Sequence, residues 1–263
     1  MKSISPNLNL MIKACEKASK ILIRDFGEIE NLQVLVKGPR DFVTNSDTKV
    51  EKILIQELSK AKKNFSIISE EIGEIKKNES NNCWIIDPVD GTTNFLHGIP
   101  HFAISIGLEH NKEIICGIIY DPIKDEMFTA EKGNGSYINN HRMRVSSRSK
   151  LKDCIIFTGG PKYGSAEKNL SMEEYNKFSS EVLIPIRKFG SGSLDMAYVA
   201  AGRCDGFWSR NLNYWDIAAG IILVKEAGGF ITDFEGKNEY IQNKTILVTN
   251  SKINKEMTKI LSS

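Results

Sequence analysis

The 263-residue sequence predicts a mixed protein, α+β in its first part and α/β in its second. Two observations carry this. Strand-like segments between residues 102 and 138 follow one another with only short turns between them, which implies antiparallel neighbours. After about residue 145 strands and helices alternate, the pattern of an α/β unit. The polar stretch at 139–150 is the expected boundary, dividing the chain into 1–145 and 146–263.

Ser5-Pro6 is a helix start, a capping residue followed by proline at the first helical position. Leu8, Ile12, Cys15, Ala18, Leu22 and Phe26 then recur at three- and four-residue spacing, predicting an amphipathic helix stopped at Gly27. Val34–Val36 reads as a short extended piece, and Lys37-Gly38-Pro39-Arg40 as a polar, mobile loop. Thr44 and Asp47 have capping-box spacing before a second helix through Val50, Ile53, Leu54, Glu57 and Leu58. Phe65–Ile68 is a strand running into Ser69-Glu70-Glu71, followed by a polar loop over 74–82. The meander then takes Phe102–Leu108, Ile114–Tyr120, Met127–Ala130 and Ser136–Ile138.

In the second part Cys154–Phe157, Ile184–Phe189, Gly206–Trp208 and Ile246–Val248 read as strands. Met172–Ser180, Ser193–Ala201, Asp216–Ala227 and Lys255–Leu261 read as helices. Gly228-Gly229 is a glycine stop for the third of these.

Composition excludes several classes. The net charge is +2, from 35 basic and 33 acidic residues, so no electrostatic footprint of a nucleic-acid binder is present. Five cysteines without a Cys-x-x-Cys pair argue against a disulfide framework and a zinc cluster and predict buried free thiols. No apolar run approaches the ~20 residues of a membrane span, and a cytoplasmic protein is expected. The four histidines show no metal spacing.

The chemistry concentrates in Trp84-Ile85-Ile86-Asp87-Pro88-Val89-Asp90-Gly91-Thr92-Thr93-Asn94. Two carboxylates at a strand end, beside free backbone carbonyls, suit a hard cation such as Mg²⁺. A Gly-Thr-Thr turn leaves N–H groups and hydroxyls free for a phosphate. The ordinary alternative is an Asp-Pro turn with a second Asp as cap. Glu70-Glu71 also follows a strand, and Asp216 opens an apolar helix; alone, the first reads as a surface pair and the second as a cap. Together Glu70, Asp87, Asp90 and Asp216 would repel one another without cations, and two or three Mg²⁺ ions would offset that charge. Gly190-Ser191-Gly192-Ser193, between a strand and a helix, is an anion-binding turn without P-loop spacing. Arg187, three residues earlier, reads either as a contact to a substrate phosphate or hydroxyl or as an ordinary exposed strand arginine.

Asp87–Phe95, followed by Pro100 and Ser105-Ile106-Gly107, closely resembles the inositol monophosphatase family. So do Trp215-Asp216-Ile217-Ala218-Ala219-Gly220, Glu226-Ala227-Gly228-Gly229, Asp41–Asp47 and Ser69-Glu70-Glu71. The resemblance extends from the first helix to about residue 250 and is nearest the bacterial SuhB-type branch. It implies a layered αβαβα sandwich, shared with fructose-1,6-bisphosphatases, and a Mg²⁺-dependent, lithium-sensitive phosphomonoesterase that is usually a homodimer. Carried over, Glu70, Asp87, the Val89 carbonyl, Asp90 and Asp216 resemble metal ligands. Thr92, with Glu70 or Asp47, resembles the group that orients the attacking water. Val89, Asp90, Gly91, Thr92 and Thr93 resemble the phosphate cradle. Arg187, Gly190, Ser191 and Asp216 resemble contacts on the substrate side, and Lys37 lies on what resembles a mobile loop that recruits a further metal. One position departs: members acting on inositol phosphates commonly carry a glutamate seven residues before the Trp-Asp aspartate. Here Ser209 stands there, with Arg210 adding the opposite charge.

The expected reaction is hydrolysis of a small sugar or polyol phosphate, foremost myo-inositol 1-phosphate, by in-line attack of water without a covalent enzyme intermediate. Fructose bisphosphate, a nucleotide 3′-phosphate and histidinol phosphate are the alternatives within the superfamily. A SuhB-like binding role in ribosomal RNA transcription complexes is the alternative from another class.

Overall fold

Ser5 caps the first helix as the sequence predicts, its hydroxyl accepting from the Leu8 N–H at 3.2 Å. Gly27 closes that helix with a right-handed φ of −75°, so the stop needs no left-handed glycine. The computed structural model describes residues 4–28, 34–38, 41–77, 80–160 and 168–262, with backbone alone at 34–38 and 41–44. In chain order the elements begin with α1 (Pro6–Phe26), β1 (Val34–Gly38), β2 (Asp41–Thr44) and α2 (Asn45–Ala61). Next come β3 (Ser66–Ser69), β4 (Gly73–Ile75), β5 (Asn82–Asp90), α3 (Thr92–Leu96), β6 (Ala103–His110) and β7 (Glu113–Asp121). They continue through β8 (Glu126–Glu131), β9 (Gly135–Ile138), β10 (His141–Arg142), β11 (Ile156–Thr158), α4 (Lys168–Glu181) and α5 (Gly192–Ala200). The last are β12 (Gly206–Arg210), α6 (Tyr214–Glu226), β13 (Phe230–Thr232), β14 (Thr245–Thr249) and α7 (Asn254–Ser262).

The meander forms as expected within an eight-stranded sheet of order β10-β9-β8-β7-β6-β5-β3-β4. Only β3 and β5 run parallel in it. The second sheet, β11-β12-β14-β13, is mixed: β11 and β12 are parallel and the other pairs antiparallel. Three apolar cores bind the layers. Met11, Cys15 and Leu22 of α1 and Val50, Leu54 and Leu58 of α2 pack against Trp84, Ile86, Ile104 and Ile118 on one face of the large sheet. On its other face Ile85, Ile119 and Phe128 meet α5 and α6, which also cover Phe207 and Val248 of the small sheet. Beyond that sheet Trp208 and Leu247 meet Phe178 of α4 and Met257 of α7. The result is the five-layered αβαβα sandwich.

Three local expectations are corrected. Lys37 and Gly38, read as loop, belong to β1 and the hairpin it forms with β2; Pro39 and Arg40 lie outside the described residues. The loop expected at 74–82 contains the end of β4, which pairs with β3. Ile184–Phe189 is no strand: it makes a single bridge, Arg187 to Phe157, and Pro185 lacks the N–H that a ladder needs. The short strands β10 and β13 were not anticipated.

α6 is apolar on every face because it is covered on both sides, with Ile217, Ala218, Ile221, Ile222 and Leu223 all buried. Gly107 and Gly117 let it approach the large sheet closely: a Cβ at Gly117 would come within 2.9 Å of the Ala219 carbonyl. All five cysteines are buried and free. No described helix is long and apolar enough to cross a membrane.

Candidate active site

Parallel pairing of β3 with β5 sets the site. Ser69 lies opposite Ile86, so the next residues, Glu70 and Asp87, leave neighbouring strand ends side by side. The Glu70 N–H donates to the Ile86 carbonyl at 3.2 Å, extending the pairing by one residue. β5 then runs through Pro88 with an irregular register between Asp87 and Asp90. The Val89 N–H turns back to Asp87 Oδ1 at 3.0 Å. Gly91, at φ +99°, allows the chain to turn into α3. A Cβ there would lie 3.1 Å from the His101 carbonyl oxygen, so glycine is needed for both conformation and space.

Thr92 follows immediately. Its hydroxyl donates toward the Val89 carbonyl at 3.0 Å and Asp47 Oδ1 at 3.3 Å, reaching across to the first turn of α2. From the opposite side, the start of α5 clasps Asp90. Oδ2 of Asp90 accepts from the Ser191 hydroxyl at 2.6 Å and from the Ser193 N–H and hydroxyl at 2.7 and 2.5 Å. Asp216 enters on the first turn of α6, its Oδ2 accepting from the Asn213 N–H at 2.7 Å. The expected cap is therefore present, and the same residue faces the site.

A cavity of about 230 Å³ opens between these elements, lined by Glu70, Asp90, Gly91, Thr92, Thr93, Gly190, Ser191 and Asp216 among others. Asp47, Asp87 and Val89 stand behind that lining and act on it through Thr92 and Glu70. Arg187 is not brought to the cavity: its guanidinium donates to its neighbour Pro185's carbonyl at 2.6 Å on the exposed surface. The Lys37 side chain lies outside the described residues.

The electrostatics are those of crowded carboxylates. Burial, followed by the Asp216 charge, pushes Glu70 up to about 8. Burial and the charges of Glu70, Asp90 and Asp216 raise Asp87 well above the usual carboxylate range. Asp90 is also raised by burial, although its serine donors pull the other way. Among the described residues no three acidic, histidine or cysteine side chains form a closed metal cage. Asp90 and Asp216 each already give one oxygen to protein donors. What remains is an all-oxygen set of crowded carboxyl groups that a hard divalent cation would hold in their charged form.

Sequence reasoning missed several residues of the cavity. Gly159, Gly160 and Leu212 line its far side, and Asp195 lies buried beneath Asp90's serine clasp with neither carboxyl oxygen hydrogen-bonded. The tandem glycine after a strand and a lone acid in the apolar run Leu194–Ala201 were the available signals. Ser209 is buried on this side, and Arg210 does not offer a free charge there. Its Nε donates to Glu174 Oε1 at 2.6 Å and its guanidinium sits 4.7 Å over the Phe234 ring. The Arg210 charge beside Ser209 is thus balanced by Glu174, and the Lys188 ammonium stands against Gly160 on the same wall.

The inositol monophosphatase family profile matches residues 4–262. An inositol-1-monophosphatase of Rhizobium meliloti is 47% identical over 97% of this chain and 95% of its own length. The Nus factor SuhB of Pseudomonas aeruginosa is 39% identical over 95% of this chain and 93% of its own. The crystal structure of the extragenic suppressor protein suhB from Bartonella henselae superposes with a TM-score of 0.95 at 49% identity, covering 98% of this chain and 99% of that one. With its two sheets, its helix layers and its carboxylate-lined cavity, the chain belongs to the inositol monophosphatase family, a family of metal-dependent phosphatases.

Proposed function

We propose that the chain hydrolyses a small polyol phosphate, foremost myo-inositol 1-phosphate, to the free polyol and inorganic phosphate, with Mg²⁺ as its cation. The observation that carries this reading is the convergence of Glu70, Asp90, Thr92 and Asp216 on one cavity beside the Gly91–Thr93 turn. The donor set fits the ion: carboxylates of Glu70, Asp87, Asp90 and Asp216 and the Val89 carbonyl are all hard oxygen ligands. Bound there, Mg²⁺ offsets the crowded charge, acidifies a water and polarises the phosphoryl oxygens.

The protein's own groups supply position. Gly91, Thr92 and Thr93 line the cavity, and their N–H groups and hydroxyls hold the phosphate. Thr92, its hydroxyl proton directed to Asp47 and the Val89 carbonyl, turns its lone pairs toward the attacking water. Glu70 accepts that water's other hydrogen bond. Gly190, Ser191 and Asp216 border the departing polyol. In this reading residues 1–145 supply most of the metal side and residues 146–263 complete the substrate side. The protein works as a cytoplasmic homodimer and is sensitive to lithium.

The deciding experiment is release of phosphate from a panel: inositol 1-phosphate, fructose 1,6-bisphosphate, a nucleoside 3′-phosphate and histidinol phosphate. Each is assayed with Mg²⁺, without it, and with added lithium. Inositol 1-phosphate should give the highest kcat/KM, and turnover should require the metal. Turnover indifferent to Mg²⁺ removal would overturn the metal reading; preference for another substrate would overturn the specificity. A second reading, a partner role in transcription complexes, is favoured by the Nus factor name of relatives such as that of Pseudomonas aeruginosa. Function of an inactive-site variant in such a complex would support it.

A further inference from the structure

α2 brings a second carboxylate to the site, one turn after Asp47. Residues four apart lie on the same helical face, and Glu51 is buried at 1% exposure on the face that meets the large sheet. Its Oε1 gathers three donors: the Ser69 hydroxyl, the Glu71 N–H at 3.0 Å and the Ile72 N–H at 3.3 Å. These residues lie on both sides of Glu70 and form the turn between β3 and β4. The backbone on each side of Glu70 is thereby fixed to α2, while the Glu70 N–H is fixed to β5.

A tight turn needs no buried carboxylate to hold it, and burying one is costly unless several donors converge on it. That convergence occurs at one oxygen, around the one residue of this turn that lines the cavity. α2 also sets the other half of the proposed water-orienting pair, because Asp47 receives the Thr92 hydroxyl. One rigid helix therefore fixes the separation between Glu70 and Thr92.

We infer that Glu51 is a positioning residue: it acts through the Ser69–Ile72 turn to hold Glu70 in the geometry that binds the cation and orients the attacking water. The inference rests on the proposed role of Glu70. Groups that orient a metal ligand typically contribute about 10–100-fold in metal affinity or activity, and a displacement of about 1 Å can cost 100-fold in rate.

The test compares Glu51→Ala, Glu51→Gln and Ser69→Ala with the full-length protein, using Glu70→Gln as reference. Mg²⁺ affinity is measured by calorimetry without substrate, and kcat and KM by phosphate release. Glu51→Ala should weaken Mg²⁺ binding and lower kcat, each by about tenfold or more, with KM little changed. Glu51→Gln, whose amide oxygen still accepts, should recover most of both. Ser69→Ala, which removes one donor of three, should shift both the same way by about threefold. It also provides the test if Glu51→Ala does not fold. Lowered thermal stability with Mg²⁺ affinity and kcat at wild-type values would overturn the inference, leaving Glu51 as a turn fastener alone. Failure of Glu51→Gln to recover would overturn the hydrogen-bond account. If Glu70→Gln itself binds Mg²⁺ and turns over normally, the role of Glu70 fails instead.

Discussion

The two sides of the cavity are built differently. On the carboxylate side the polar groups are fastened by partners distant in sequence. Glu51 of α2 holds the turn around Glu70, Asp47 receives Thr92, and the start of α5 clasps Asp90. On the opposite side the lining includes Gly159, Gly160, Ser209, Leu212 and Arg210, the last paired with Glu174. A Cβ at Gly159 would run into the Ser209 hydroxyl, so small residues face each other there. One side gathers carboxylates; on the other, small residues pack closely, with the Lys188 ammonium against Gly160.

The hardest break in this contrast is Asp90→Asn. The amide oxygen still accepts from Ser191 and Ser193, so the melting temperature should hold within a few degrees. Turnover should nonetheless fall about 1,000-fold or more, since the lost charge is worth several kcal/mol at the transition state. Retained Mg²⁺-dependent activity would remove Asp90 from the metal set.

Gly91→Ala asks how rigid the metal side is. With φ at +99° and the His101 carbonyl in the way, the substitution should cost about 1–3 kcal/mol, read as a lowered urea midpoint. An unchanged midpoint would show that the turn relaxes freely.

Metal and pH sharpen the comparison further. In the metal-free folded chain Glu70 keeps its proton up to about 8, against an ordinary value of 4.5 when unfolded. Folding then takes up a proton between those values, so this contribution to stability is full below 4.5 and lost as pH rises toward 8. Asp87 acts in the same direction. Thermal unfolding of the metal-free protein should weaken across that window, and the stabilisation added by Mg²⁺ should grow. A metal increment independent of pH would contradict the crowded-carboxylate picture.

The mildest change is Ser209→Glu, on the wall shared with Gly159. A carboxylate there supplies an acceptor for polyol hydroxyls, and KM for inositol 1-phosphate should drop about tenfold, the worth of one charged hydrogen bond. KM for phenyl phosphate, whose leaving group carries no further hydroxyl, should stay within twofold. Equal changes for both substrates would mean that Ser209 does not face the polyol.

Much of the fold was legible because its signals are local. Ser5-Pro6 and the spacing from Leu8 to Phe26 predict α1 to the residue, and the short turns after Leu108, Tyr120 and Ala130 give the meander. β10 and β13 escaped because two or three residues carry no periodicity. Ile184–Phe189 has strand composition but a proline where the ladder would need a donor. In the site, the Asp87–Thr93 stretch and the Trp215-Asp216 pair could be read directly. Glu51, Asp195 and the Arg210–Glu174 pair could not. Their meaning lies in partners 18 to 36 residues away, or in the absence of any hydrogen-bond partner, as at Asp195.

The doubly covered helix α6 has a consequence for the order of synthesis. It brings Asp216 to the cavity and, with α5, covers the inner face of the large sheet, where Gly107 and Gly117 wait for its backbone. Both helices follow that sheet in the chain. A growing polypeptide that has completed the meander still presents Ile85, Ile119 and Phe128 without their cover, a species prone to stick to others like it. The last quarter of the chain therefore ends that exposure and supplies Asp216 together: the emerging protein gains its activity at the moment it loses its tendency to aggregate.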